Sequence, residues 1–156
     1  MAKAPPFDGL TADASLERAA RTILPALLDA VLAETPAVLH GDDVRATHDM
    51  RVAIRRLRTA LDTFGDELSR KPLRKYAYAT RRIGRRLGRV RDADVHLAVL
   101  RGALGGATAN EAAGAGYAIE RLLARRWQAL SEFAVELSQF DRDGLTALLD
   151  HGADTP

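Results

Sequence analysis

Apolar residues recur at three- and four-residue intervals along most of this chain, the period of α-helices with one buried face. Residues 15–34 show it first, through Leu16, Ala20, Ile23, Leu24, Leu27, Leu28 and Val31. Pro25 falls inside that run and predicts a kink or a split, because proline lacks a backbone donor and crowds the preceding turn. Residues 35–41 read as a loop, with Asp42 or Asp43 placed to cap a second helix that ends about Phe64, before Gly65. A third helix occupies about 72–87 with Gly88 as its stop, and Asp92 opens a fourth through Val95, Leu97, Val99 and Leu100. The glycines at 102, 105, 106, 114 and 116 predict a flexible connection or a frayed helix start. A fifth helix covers about 117–138 and a short sixth 143–151. No stretch alternates as a strand would, with β-branched and aromatic enrichment. The pattern predicts an all-α fold: an antiparallel helical bundle of about five to six helices, with 1–14 disordered and 15–151 a single domain.

The second and third helices carry opposed faces. On a wheel of about 100° per residue, Met50, Ala53, Ile54, Leu57, Ala60, Leu61 and Phe64 form one continuous side. His48, Arg51, Arg55 and Arg58 lie opposite, flanked by Arg45 and Arg56. The third helix repeats the design. Leu73, Tyr76, Ala79, Thr80, Ile83, Leu87 and Val90 share one side; Arg74, Lys75, Arg81, Arg82, Arg85, Arg86 and Arg89 share the other with Tyr78. Ordinary solvated helix faces mix signs, since interspersed acids form favourable i,i+4 pairs. Between Arg74 and Arg91 there is no acid at all. An anion-binding surface explains this better than chance solvation does.

Composition sharpens that expectation. The net charge of the 156 residues is only +2, yet 44–101 holds 16 basic against 6 acidic residues, which leaves the remainder at −8. Positive charge is concentrated in one central stretch, as a polyanionic partner requires. Arginine outnumbers lysine 20 to 3, and guanidinium groups present paired donors that match phosphate oxygens. There is no cysteine, so no disulfide scaffold, thiol nucleophile or cysteine-held zinc is available. No uninterrupted apolar run approaches the roughly 20 residues that span a bilayer, and the start lacks the apolar segment of a secretion signal. A soluble, cytoplasmic protein with no membrane partner is expected.

Individual residues add little catalytic promise. His48 is read either as a donor to an oxyanion or as structural; arginines around it repel a metal cation, and no second histidine stands three or four residues on. His40, His96 and His151 are scattered. Asp92 reads as a helix cap and Asp94 as an arginine partner, ahead of a metal-binding pair. Trp127 reads as core or interface. No phosphate-cradling glycine loop, nucleophile elbow or His-Glu-x-x-His helix occurs. No cofactor is expected. Base readout uses Asn and Gln as well as Arg, and single-strand binding uses exposed aromatics. Residues 44–101 hold no Asn, Gln or Trp, so non-specific nucleic-acid binding is the rival that survives. An enzyme using His48, and a structural protein facing an acidic partner, are further alternatives.

The segment from His48 through Met50, Arg51, Arg55, Arg56 and Arg58, followed by Leu87, Gly88, Arg91, Asp92, Asp94 and Val95, resembles the CHAD family (conserved histidine α-helical domain). The resemblance is strongest over 44–101 and extends from the first helix to the end. It implies an all-α fold and binding of inorganic polyphosphate through a basic channel or surface, without catalysis by the domain itself. It also implies a triphosphate-tunnel enzyme as a candidate partner and an association with polyphosphate granules. Carried over by position, the histidine is His48 and the helix arginines are Arg51, Arg55, Arg56 and Arg58, with Arg81, Arg82, Arg85, Arg86 and Arg89 less firmly aligned. Arg74 joins them on the basic face of the third helix. Family members carry two similar halves, whereas nothing after Arg101 repeats the basic pattern, so the chain resembles the first half only. A homodimer, or a second CHAD-like half, is expected to complete the enclosure of the ligand.

Overall fold

The computed structural model describes residues 5–7, 9–41, 44–68 and 71–150. Four long helices, α1 (Leu16–His40), α2 (Val44–Glu67), α3 (Leu73–Ala103) and α4 (Ala109–Ser138), are followed by the short α5 (Arg142–Asp150). A 3₁₀ turn, Leu104–Gly106, joins α3 to α4. Among the described residues 86% are helical and none lies in a strand, which makes the fold all-α.

The six helices read along the sequence become five, four long and one short, because the predicted third and fourth helices are one. α3 runs through Gly88 without a break, and Asp92 is an exposed mid-helix residue rather than a cap. An interior glycine costs about 1 kcal/mol against alanine. Burial of Ile83, Leu87, Val90 and Leu97 on one continuous stripe contributes about 1.5–3 kcal/mol for each side chain. α1 is likewise unbroken: both Pro25 and Pro36 lie inside it, so neither the expected split nor the loop at 35–41 forms. Its stripe of Ala20, Leu24, Leu27, Leu28, Val31 and Val38 is buried to the last turn, which outweighs two prolines at about 3 kcal/mol each. Gly41 ends it instead, in the left-handed region at φ 81°, with its N–H bonded to the Ala37 carbonyl at 3.3 Å. By length and composition α1 is apolar enough to cross a membrane, although charged residues interrupt the run; here its apolar stripe belongs to the core.

α4 starts eight residues earlier than the glycines suggested. Thr108 and Glu111 form a reciprocal capping box: the Glu111 N–H donates to Thr108 Oγ1 at 3.4 Å, and the Thr108 N–H donates to Glu111 Oε2 at 2.8 Å. Donation from the Thr108 hydroxyl and then its backbone N–H holds the Glu111 carboxyl below its ordinary range. At the start of the chain, Phe7 packs on the core and its carbonyl accepts from the Leu10 N–H. The expected caps Asp42 and Asp43, and His151, lie outside the described residues.

α2, α3 and α4 run antiparallel to one another in succession. Asp62 and Asp66 near the end of α2 pair with Arg81 and Arg74 near the start of α3. Between α3 and α4, partners run from Arg82 with Glu136 back to Asp94 with Arg126. The core lies between the apolar stripes of α1, α2 and α3, closed by Ala129, Leu130, Phe133 and Leu137 of α4 and by Leu145 and Leu149 of α5. On α2, Met50, Ala53, Ile54, Leu57, Leu61 and Phe64 are all buried as the wheel requires. Like-charge repulsion on its opposite face, a few tenths of a kcal/mol per pair, is small beside that burial.

Candidate anion-binding groove

The two outward faces of α2 and α3 that meet beside the core form a groove of about 560 Å³. α2 contributes His48, Arg51, Arg55 and Arg58, spaced three or four residues apart on one stripe; α3 contributes Arg81, Arg85 and Arg91. Two glycines and a threonine of α3, Gly84, Gly88 and Thr80, complete the α3 side of the lining. Neither glycine is there for its backbone angle. A Cβ on Gly84 would stand 3.2 Å from Ile54 Cγ2, and one on Gly88 would stand 3.2 Å from Arg51 Nη1. Their bare backbone lets the helices approach and leaves room for the Arg51 guanidinium, which is why Gly88 persists in mid-helix.

The pairing of these cations decides what the groove can do. Arg81 is neutralised: its Nη2 lies 2.7 Å from Asp62 Oδ1. His48, Arg51, Arg55, Arg58, Arg85 and Arg91 have no hydrogen-bond or ion-pair partner among the described residues. No Asp or Glu lines the groove. Five guanidinium groups with unused donors therefore converge on one elongated space, an arrangement suited to an extended row of oxyanions.

The other expected site residues lie elsewhere. Arg56 sits on the α1 side of α2, in a cleft with Leu27, Ala30 and Ala53. Arg74 faces Asp66 at 3.5 Å, beyond the cationic end of the groove. Arg82, Arg86 and Arg89 turn toward α4, where Arg82 Nε meets Glu136 at 2.9 Å and Arg86 and Arg89 share Glu132 Oε2 at 2.5 and 3.0 Å. Arg85 lines both the groove and a second space of about 370 Å³ that it shares with Arg82, Arg86 and Arg89. Thus His48, Arg51, Arg55, Arg58, Arg81 and Arg85 come together, while Arg56, Arg74, Arg82, Arg86 and Arg89 do not join them. Sequence reasoning missed Arg91 and the role of Gly88. Continuing the helical period from Arg81 through Gly84, Gly88 and Arg91 would have found both.

Asp94 does pair with an arginine, as its sequence position suggested. Its Oδ1 accepts from Arg126 Nε at 2.6 Å, with both side chains less than a tenth exposed. Arg126 Nη2 also donates to the Gly41 carbonyl at 2.8 Å, which ties α4 to the turn that precedes α2. The pair is a structural clasp beside the His48 end of the groove. Asp92 points away from it, into a cleft with His96 and Arg125, so the two aspartates do not converge. Trp127 is 54% exposed and is a surface residue, not core.

Comparison with known proteins gives one result. Neither curated proteins nor solved structures returned a match. Residues 22–155, nearly the whole chain, match the family model described as CHAD domain. With the all-α fold and the His48-to-Arg58 stripe in place, this match identifies the chain as a member of the CHAD domain family.

Proposed function

We propose that the α2–α3 groove binds inorganic polyphosphate and that the domain does no chemistry on it. The observation that carries this reading is the set Arg51, Arg55, Arg58, Arg85 and Arg91, which share one groove and have no carboxylate partner among the described residues. Unpaired guanidinium groups this close repel one another, and a bound polyanion relieves that repulsion while releasing condensed counterions. The resemblance of the His48-to-Arg58 stripe to the CHAD family implies the same ligand class.

Non-specific nucleic-acid binding uses the same electrostatics. The groove lining contains no Tyr, Trp or Phe, so it offers bases no aromatic platform and holds a nucleic acid by phosphates alone. Competition between polyphosphate and duplex DNA at equal phosphate concentration separates the two, with polyphosphate expected to win.

The direct test is a polyphosphate titration across salt with the unmutated chain and the double variant Arg51→Glu/Arg55→Glu. Affinity is expected to fall by roughly a hundredfold or more, since hydrogen bonds to charged groups are each worth about tenfold or more. The slope of log K against log salt should become shallower by about 1.4 for two lost contacts. Helicity should be unchanged, because both side chains are exposed. Unchanged affinity in the double variant refutes the reading.

A further inference from the structure

The stripe of α2 that lines the groove does not stay cationic to its end. Read along one face, it runs His48, Arg51, Arg55, Arg58 and then Asp62 and Asp66, each step three or four residues. The sign of the charge reverses between Arg58 and Asp62, within a single helical turn. Across the groove α3 runs antiparallel, so Arg81 and Arg74 stand opposite the acidic end. Asp62 Oδ1 takes Arg81 Nη2 at 2.7 Å and Asp66 Oδ1 takes Arg74 Nη2 at 3.5 Å. Arg81 thereby lines two spaces at once: the cationic groove, and a cleft of about 510 Å³ shared with Asp62, Asp66, Arg74 and Ala77.

The charge balance along the groove follows. From His48 to Arg58, and from Arg91 to Arg85 across it, no carboxylate intervenes. At Arg81 one positive charge is matched by one negative, and at Arg74 the match repeats. A phosphate arriving at Arg81 must displace Asp62 or lie against it, so it gains no net attraction and releases no further counterion. Its neighbour Arg58, although one turn from Asp62, forms no ion pair with it, because Asp62 is held by Arg81. The backbone dipole does not favour this order, because carboxylates near a helix C-terminus are placed unfavourably against it.

We propose that Asp62, backed by Asp66, is a specificity-determining stop that ends the polyanion track at Arg58. The bound stretch is confined to the segment from His48 and Arg91 to Arg58 and Arg85, and a longer chain leaves the groove past Arg85 instead of continuing toward Arg74. This rests on the reading of the groove as a polyphosphate site and adds where that site ends.

The test compares long-chain polyphosphate binding across salt for the unmutated chain and for Asp62→Asn, Asp29→Asn, Arg58→Gln and Arg81→Gln. Asp62→Asn keeps the size of a half-exposed side chain and frees Arg81. Its salt slope is expected to steepen by about 0.7, one added phosphate contact, with severalfold tighter binding at low salt. Asp29→Asn removes the same charge and frees Arg142, in a pair between α1 and α5 that lines neither arginine-bearing space, so its slope should match the unmutated chain. Arg58→Gln should weaken binding about tenfold, and Arg81→Gln by less than threefold because Asp62 already occupies that arginine. An unchanged slope for Asp62→Asn, an equal change for Asp29→Asn, or equal losses for Arg58→Gln and Arg81→Gln overturns the stop. Failure of the unmutated chain to bind at all is a separate result, visible before any variant is made, and it removes the polyphosphate reading itself together with the stop.

Discussion

α3 has two flanks built from the same residue type, and they behave differently. On the side toward α2, Arg85 and Arg91 keep their donors free while Arg81 and Arg74 are paired with Asp62 and Asp66; on the side toward α4, Arg82, Arg86 and Arg89 are all held by Glu132 and Glu136. The residues alternate along the helix, so neighbours such as Arg81 and Arg82, or Arg85 and Arg86, fall to opposite flanks about 100° apart. What separates a binding surface from a structural one is the sign of the facing helix. α2 presents arginines across most of the groove, and α4 presents carboxylates. A run of basic residues is thus not a site until its neighbours are known.

The largest effect is expected on the α4 flank, where charge serves the fold. Arg126→Met leaves the Asp94 carboxylate buried without its partner, and Asp94 Oδ2 already lacks one. Stability should fall by about 3–5 kcal/mol, read as an earlier urea midpoint at constant slope. Replacing both residues together, Asp94→Leu with Arg126→Met, should recover most of the loss, because no uncompensated charge then remains. A loss under about 1 kcal/mol for the single change would mean the pair is solvated, and the contrast between flanks would fail.

On the groove flank the expected signs are opposed. Gly88→Ala should raise stability by roughly 0.5–1 kcal/mol through helix propensity, since the new methyl meets only the mobile end of Arg51. Polyphosphate affinity should fall severalfold as that guanidinium is displaced. Measuring unfolding and binding on the same protein checks both; a variant that gains stability and keeps full affinity would show that Arg51 does not need the space.

The smallest effect lies beyond either flank, at the first turn of α4. The Glu111 carboxyl is held below its ordinary range by Thr108. A depressed carboxyl stabilises the fold above its unfolded value, and that contribution is lost as pH falls through the folded value. Amide protection of residues 109–112, corrected for intrinsic rates, should therefore drop selectively in acid, and Thr108→Ala should abolish the pH dependence.

Much of this was legible in the chain. The buried and exposed sides of α2 follow from spacing alone, and His48, Arg51, Arg55 and Arg58 lie together because residues three and four apart on a helix are neighbours whatever surrounds them. The same logic gives less on α3, whose basic arc is too wide to face one way; Arg82, Arg86 and Arg89 look equivalent to Arg81 and Arg85 until α4 is in place. Gly88 misled for a local reason: glycine after an apolar run resembles a helix end, and only the nearness of Arg51 shows why a helix would carry it inside. Pro36 misled in the same way, since local propensity says nothing of the burial that holds α1 to Gly41. Asp94 was readable as an arginine partner, but Arg126 lies 32 positions away and could not be named.

Helical periodicity and the absence of acid between Arg74 and Arg91 determined, without any structure, that the fold is helical and that one region carries uncompensated positive charge. Both are properties of near neighbours along the chain, fixed by the geometry of a single helix. Which arginines remain uncompensated, where the row ends at Asp62 and which are consumed by Glu132 and Glu136 was decided only by tertiary structure. Ion pairing depends on distances between helices, and those are set by how the apolar faces pack.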